Sequence, residues 1–253
     1  MATNWLPLRR ALAQFRAHDI GLPIWWRDDD AIAPSQGLDR LRNMAQKLAL
    51  PAHVAVIPGL AQKNLPGAFD ISDDLVALVH GWRHENHAPS NAKKTEFSQH
   101  NVHATGELKQ AIQTMTRLFG QQFTPIFVPP WNRIDTGLFN DLQLTGYAGL
   151  STFTPRKSRL AAPGIVQINC HVDPIDWRGT RDLIDPDTII AHTVSLLSAR
   201  LRCETDNSEP LGYLTHHLVH TPDIWTFSEQ FLTELLEGGA TAQPLPPLLE
   251  TPE

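Results

Sequence analysis

Short apolar runs alternate along the chain with segments whose apolar residues recur at helical spacing. The runs predict buried strands at 23–26, 53–57, 75–79, 125–128, 165–168 and 212–215. The helical spacing predicts helices over 37–50, 106–119, 136–144, 187–201 and 224–236, and another near the start from Leu8, Leu12 and Phe15. Strands that alternate with helices indicate βαβ units and a mostly parallel sheet. The pattern therefore predicts an α/β protein.

The same pattern runs through most of the chain without a repeat or an inner linker. We therefore expect residues 1–240 to form one domain. Residues 241–253 contain four prolines and no amphipathic period, which predicts an extended, flexible tail. A length of 253 residues suits a single (β/α) barrel, and 42% apolar residues suffice for one core.

Composition narrows the choice of partners and compartment. A net charge of −6 argues against nucleic acid or an anionic membrane surface as a partner. Cys170 and Cys203 lack the spacing of a metal site and are too few for a disulfide scaffold, so we expect buried thiols in a reducing compartment. Arg9, Arg10 and Arg16 stand where a signal peptide would be apolar. These features predict a cytoplasmic protein and leave its oligomeric state open.

Reactive side chains follow several of the predicted strands. The acids 28–30 follow the first, His80 and His84 follow the third, and His216 and His217 follow the last. In parallel α/β folds chemistry collects at the carboxyl ends of strands. Two imidazole nitrogens and a carboxylate oxygen suit zinc or a similar divalent ion. A second acid beside the metal could take a proton from bound water, provided that the strand breaks there and lets both acids face one side.

These residues resemble the motifs of the polysaccharide deacetylase family, the NodB-homology carbohydrate esterases. The resemblance covers about residues 23–220, with the motifs in the family's order. The family's His-x-x-x-His metal pair matches His80 and His84. Its Asp-x-x-Asp-Trp motif matches residues 173–177, and its Leu-x-His motif matches residues 214–216.

The resemblance implies a fold, a metal and roles for individual residues. The fold is a distorted (β/α) barrel in a single domain. Asp29 would be the catalytic base and His216 the general acid, with the pair Asp28–Asp29 as an alternative register for base and ligand. The implied metal ligands are Asp30, His80 and His84. The implied ion is Zn²⁺ first, with Co²⁺, Ni²⁺ or Mn²⁺ as alternatives.

One motif departs from the family pattern. The family's Arg-x-Pro-aromatic-Gly motif reads Val-Pro-Pro-Trp-Asn here, so Val128 replaces the arginine. Arg133 is a possible substitute from another direction. The resemblance also implies that Trp131, Arg133 and Asp176 contact the substrate or its oxyanion. Without the family's arginine to hold Asp29, we expect slow turnover.

The sequence thus predicts a metal-dependent hydrolase that removes an acyl group, such as acetyl, from an N-acylated sugar or related amide. Its partner would be a carbohydrate or another small molecule. Two alternatives remain open. One is a weak or inactive relative that binds metal and a carbohydrate ligand, which the loss of the arginine favours. The other is a hydrolase of a different non-peptide C–N bond.

Overall fold

The computed structural model of this protein describes residues 3–245 and residue 249. Within them the sheet has nine strands: β1 (Leu22–Ala31), β2 (Ala52–Val56), β3 (Leu75–His80), β4 (Phe123–Val128), β5 (Gly149–Leu150), β6 (Leu160–Ala162), β7 (Ile165–Gln167), β8 (Leu211–Thr215) and β9 (Ala240–Ala242). The α-helices are α1 (Leu6–Ala17), α2 (Gln36–Leu48), α3 (Ala104–Phe119), α4 (Phe139–Thr145), α5 (Pro186–Leu201) and α6 (Pro222–Glu237).

The sheet curls into a distorted barrel. Its strand order is β6-β7-β5-β4-β3-β2-β1-β8, with β9 also paired to β1. All pairings are parallel except that between β6 and β7. After β7 the chain makes single bridges from Cys170 to Phe153 and from Val172 to Tyr213 of β8. These bridges bring the two ends of the sheet together. The predicted fold class, a distorted (β/α) barrel in one domain, is confirmed.

Most of the predicted elements are present, with ends shifted by a few residues. The helices pack their apolar stripes on the sheet, as in α2, where Leu38 and Leu41 are fully buried. The side chain of Ser35 caps this helix by accepting a hydrogen bond from the backbone N–H of Leu38 at 3.1 Å. The pattern missed β5, β6 and β9, which are only two or three residues long. Strands this short contain too few residues to show a period.

The predicted tail, residues 241–253, begins inside the fold. Strand β9 pairs with β1 from Leu22 to Ile24, and the backbone N–H of Gln243 donates to the Ile24 carbonyl at 2.8 Å. Leu245 is 1% exposed and packs in the core cluster that includes Trp25. The described start of this segment thus pairs with β1 and docks Leu245 in the core, and a single docked side chain leaves no period in the sequence. The rest of the tail, residues 246–248 and 250–253, lies outside the described residues.

Two other sequence expectations have structural outcomes. Both cysteines are free, but only Cys170 is buried, whereas Cys203 is exposed in the turn after α5. None of the helices in the described part of the chain combines the length and hydrophobicity that a bilayer span requires.

Candidate metal and catalytic site

A bulge in β1 brings two neighbouring acids to one side of the strand. In the pairing with β2, Asp28 lies opposite Val54 and Ala31 opposite Val56, so β1 has one extra residue between these positions. Asp30 takes a left-handed conformation with φ of 77°. The normal alternation of side chains is broken there, and Asp29 and Asp30 both line the same cavity. This is the local break that two adjacent functional acids require.

The cavity has a volume of about 730 Å³ and opens at the carboxyl ends of the parallel strands. It collects residues from β1, from the loops after β3 and β4, from the segment after β7 and from the end of β8. Of the residues proposed from the sequence, those that line it are Asp29, Asp30, His80, His84, Trp131, Arg133 and His216. Asp176 is not among its lining residues.

Asp30, His80 and His84 form a group that could hold a metal ion. One ligand atom from each lies within 4.8 Å of the other two. The Asp30 Oδ1 atom is 3.0 Å from His80 Nε2 and 3.5 Å from His84 Nε2. The second ring nitrogen of His80, Nδ1, lies 3.0 Å from the carbonyl oxygen of Val128 and donates to it in the tautomer that keeps Nε2 free. His80 is therefore oriented as a metal-ligating histidine is.

The loop that carries His84 is held by a buried carboxylate. Glu96 is fully buried, and its oxygens accept hydrogen bonds from the backbone N–H groups of Trp82 at 3.1 Å and Arg83 at 2.7 Å. Gly81 has a φ of 54°, and a Cβ there would lie 2.2 Å from Glu96 Oε2. Only glycine fits at that position. Glu96 thus orders the turn between the two histidines.

Asp30, His80 and His84 shift one another's pKa values. Burial alone would raise the pKa of Asp30, but the hydrogen bond and charge of His80 outweigh it and hold that pKa well below its usual range. Burial lowers the pKa of His80, yet Asp29 and Asp30 together raise it above its usual value. Burial and the charge of His80 lower the pKa of His84. These shifts favour the charged form of the Asp30 carboxylate and the neutral form of the His84 imidazole, the forms in which both groups bind a divalent ion.

Asp29 is held by an arginine from its own strand. Arg27 is fully buried, with Nε 2.9 Å from Asp29 Oδ1, and its Nη2 donates to Asp29 Oδ2 at 3.0 Å. The same guanidinium donates from Nη1 to Ser151 Oγ at 2.7 Å and from Nη2 to Asn132 Oδ1 at 2.6 Å. A guanidinium with this many partners is rigid, so it fixes the orientation of the Asp29 carboxylate.

Asp28 faces away from the cavity and has other partners. Its oxygens accept from Thr215 Oγ1 at 2.6 Å and from the backbone N–H of His217 at 3.0 Å, and His217 Nδ1 lies 2.5 Å away. Both Asp28 and His217 are buried. This pair ties β1 to the end of β8. The geometry favours the pair Asp29–Asp30 over the alternative Asp28–Asp29, because Asp30 is the acid beside the two histidines.

His216 lies against a tryptophan at the cavity wall. Its ring meets Trp177 edge to face, with centroids 4.6 Å apart. Trp177 in turn donates from Nε1 to Asp173 Oδ2 at 2.8 Å. Burial raises the pKa of Asp173, and the nearby His216 opposes that rise. The Nδ1 atom of His216 is buried and has no hydrogen-bond partner among the described residues.

Comparison with known proteins adds the fold to this geometry. No protein-family model matches the sequence, and no curated protein matches it. Solved structures do match along nearly the whole chain. The polysaccharide deacetylase from Bacillus cereus gives a TM-score of 0.53 at 17% identity, over 88% of this chain and 92% of its own. The chitin deacetylase from the fungal pathogen Colletotrichum lindemuthianum gives 0.55 at 13%, over 92% and 91%.

This protein has the polysaccharide deacetylase fold. A third structure, a mutant of a family 4 carbohydrate esterase pseudoenzyme with restored enzymatic activity, gives a TM-score of 0.55 at 17% identity, over 91% of this chain and 68% of that one. These identities are low, so the likeness establishes the fold alone. The residues themselves have to carry any statement about function.

The structure shows which arginine contacts Asp29 although Val128 replaces the arginine of the family motif. Val128 is fully buried, and its carbonyl oxygen accepts the hydrogen bond from His80 Nδ1. The expected substitute, Arg133, is exposed and donates from Nη1 to the Lys94 carbonyl at 3.0 Å. The arginine that contacts Asp29 is Arg27 instead. The expectation that Asp29 lacks a guanidinium partner is therefore corrected.

Asp176 has a structural task in this fold. Its oxygens accept hydrogen bonds from the backbone N–H groups of Gly179 at 3.0 Å and Thr180 at 3.3 Å. A Cβ on Gly179 would lie 2.1 Å from Asp176 Oδ2, so a larger residue there would displace the Asp176 carboxylate. The acid of this motif that lines the cavity is Asp173, three residues earlier.

The sequence analysis gave no role in the site to four residues: Arg27, Asn132, Ser151 and Asp173. A signal existed for Arg27, because residues i and i+2 of a strand share a face and Arg27 stands two residues before Asp29. A charged residue within an apolar strand needs such a partner. Asn132 and Ser151 gave no comparable signal, since their contact with Arg27 depends on how β4 and β5 pack. Left-handed conformations at Asp30, His84, Trp131 and Asn132 also mark the site, and only the structure reveals them.

Proposed function

We propose that this protein is a metal-dependent hydrolase that removes an acyl group, acetyl in the simplest case, from an N-acylated sugar or a related amide. One observation carries the proposal. The group Asp30, His80 and His84 shares a cavity with a buried, guanidinium-held carboxylate, Asp29, and with a histidine, His216. An ion site beside both a candidate base and a candidate acid has the parts that amide hydrolysis needs. The fold supports the same conclusion.

The donor set supports a divalent ion of the zinc type. Two imidazole nitrogens and one carboxylate oxygen are a usual set of three protein ligands that leaves further positions open. We propose Zn²⁺ as the ion, with Co²⁺, Ni²⁺ and Mn²⁺ as alternatives that the same ligands accept. A bound ion would polarise the amide carbonyl and lower the pKa of a water molecule.

The chain's own residues would supply the proton transfers. Asp29, oriented by Arg27, takes a proton from the attacking water. His216 gives a proton to the departing amine nitrogen. The backbone N–H of Trp131 faces the developing oxyanion in this proposal. Trp131 packs on His84 with ring centroids 4.4 Å apart, which keeps it beside the ion site.

Metal analysis and hydrolysis together test the proposal. Purified protein should contain about one divalent ion per chain, and His80→Ala or Asp30→Ala should lose it. Asp29→Asn should keep the ion and lose turnover, measured as acetate released from N-acetylated sugars and oligosaccharides. His100→Ala is the matched control, since His100 is exposed and outside the cavity. Protein without metal after a metal-replete preparation, or full metal in both ligand variants, would overturn the metal assignment.

Two outcomes would point to the alternatives. Bound metal together with carbohydrate affinity, but no acetate release from any substrate, would support a binding protein that has lost catalysis. Release of an amine from non-sugar amides, and not from acetylated sugars, would support a hydrolase of another C–N bond. The intact contact between Arg27 and Asp29 favours catalysis over binding alone.

A further inference from the structure

One wall of the cavity is not explained by the proposed chemistry. It is formed by the segment after β7 and by the start of α5, and it begins where Trp177 packs on His216. The apolar residues of this wall are Val172, Ile175, Ile184 and Ile189. Two exposed arginines, Arg178 and Arg181, also line the cavity.

The charges that line the cavity are unequally partnered. Asp29 contacts Arg27, Asp30 contacts His80, and Asp173 accepts a hydrogen bond from Trp177. Arg178 and Arg181 differ from these acids. Among the described residues, neither guanidinium has an ion-pair or hydrogen-bond partner. The acids that line the cavity thus have partners within the protein, whereas the guanidinium groups of Arg178 and Arg181 are available to bind a ligand.

The two arginines are carried by an ordered turn. Asp176 holds the turn through Gly179 and Thr180, and the backbone N–H of Arg181 donates to the Asp176 carbonyl at 2.9 Å. Arg181 itself is left-handed, with φ of 60°. A non-glycine residue persists in that region only when its surroundings hold it there. At the far end, Asp182 accepts from Thr221 Oγ1 at 2.6 Å. The turn is therefore a clamped part of the wall.

We propose that the substrate carries an anionic oxygen group, a carboxylate or a phosphate, that binds Arg178 and Arg181 while its N-acyl group lies at Asp30, His80 and His84. This inference rests on the proposed function. A guanidinium presents a planar fork of donors that matches both kinds of anion. The chain as a whole has a net charge of −6, so a general attraction for anions does not account for this pair.

A matched set of ligands tests the inference by binding, without relying on turnover. Isothermal titration compares N-acetylglucosamine with two derivatives that keep its acetamide, N-acetylglucosamine 6-phosphate and N-acetylmuramic acid. We expect at least one anionic derivative to bind about tenfold more tightly than the neutral sugar, as charge-assisted contacts to two partly exposed arginines allow. Which derivative binds more tightly distinguishes phosphate from carboxylate.

Two double variants of equal charge complete the test. Arg178→Gln with Arg181→Gln should abolish the anionic preference and leave the affinity for N-acetylglucosamine within about twofold. Arg10→Gln with Arg117→Gln removes the same charge from exposed positions on α1 and α3, and it should keep the preference. The inference is overturned if no derivative is preferred, if the preference survives in the first double variant, or if the control loses it as well.

The outcomes separate this inference from the proposed function. Efficient hydrolysis of the neutral sugar, unchanged by loss of Arg178 and Arg181, would leave the function standing and refute the anionic substrate. An anionic preference that depends on the two arginines, with no hydrolysis of any N-acyl compound, would keep the anion site and refute the hydrolase.

Discussion

Replacing Arg27 by methionine should damage both stability and catalysis, in ways that can be measured separately. Methionine keeps much of the side chain's length and removes its charge. Asp29, 3% exposed, then loses its ion pair and a hydrogen bond, and Ser151 and Asn132 each lose a donor. Removing one partner of a buried ion pair costs about 3–5 kcal/mol. For a chain of this size, a loss of that much unfolding free energy lowers the Tm by about 10 °C.

The catalytic effect of Arg27→Met follows from the same contacts. Without the guanidinium, the Asp29 carboxylate loses the two contacts that fix its orientation. Turnover at neutral pH should fall by roughly 10²–10³, within the usual contribution of a positioned base. Metal content should stay unchanged, because Arg27 contacts none of the three proposed ligands in the described structure.

A double-mutant cycle and one control make the test decisive. Combining Arg27→Met with Asp29→Asn removes both charges of the pair. The double variant should therefore lose about 1–3 kcal/mol less unfolding free energy than the two single variants lose in sum. Arg133→Met should cost less than about 0.5 kcal/mol, since Arg133 is exposed and bonded to a backbone carbonyl. Urea unfolding and acetate release measure the two effects. Equal losses of unfolding free energy in the Arg27 and Arg133 variants would refute the reasoning.

Three further predictions concern separate parts of the chain. His216→Ala should keep its metal and lose turnover by roughly 10²–10⁴, as measured by metal analysis and acetate release, because a general acid acts only when the amine departs. Burial lowers the pKa of His53 from 6.5 to about 4, so the unfolded chain binds a proton that the folded chain refuses. Stability should fall by up to roughly 3 kcal/mol as pH drops through that window, and urea unfolding should show a smaller fall in His53→Gln. Leu245→Ala should lower the free energy of unfolding by about 2–3 kcal/mol in a thermal or urea assay, whereas the exposed Leu6→Ala should have little effect; equal effects would mean that Leu245 does not dock.

Local patterns could predict most of the fold, because apolar periodicity reports which face of an element is buried. The long helices and the central strands were found in this way. The end of the chain was not, because Leu245 docks singly between prolines and adds no period. Strand β9 pairs with β1, more than two hundred positions earlier in the chain, and no local signal reports such a contact.

The candidate site divides in a similar way. The spacing of His80 and His84 and the run of acids indicated the candidate ion site, because each group follows a predicted strand and the carboxyl ends of parallel strands lie at one edge of the sheet. The role of Asp28 could not be read from the run, because the bulge in β1 decides which acids share a side. His217 is likewise buried against Asp28, so an alanine there would break a buried pair and is not a neutral control for His216.

Strand β1 holds Arg27, Asp29 and Asp30 within four positions, whereas the histidines of the site come from separate segments. Strand β1 is paired along both edges, with β2 on one side and β8 and β9 on the other. Motion of the loop that carries His84 would therefore change the distance between its imidazole and Asp30. Arg27 and Asp29 would keep their contact, because both belong to β1. Loss of a bound ion and loss of the alignment of Asp29, the proposed base, would then be two separate failures. The first would be reversed by adding the ion back, and the second would require unfolding of β1, which is paired along both edges.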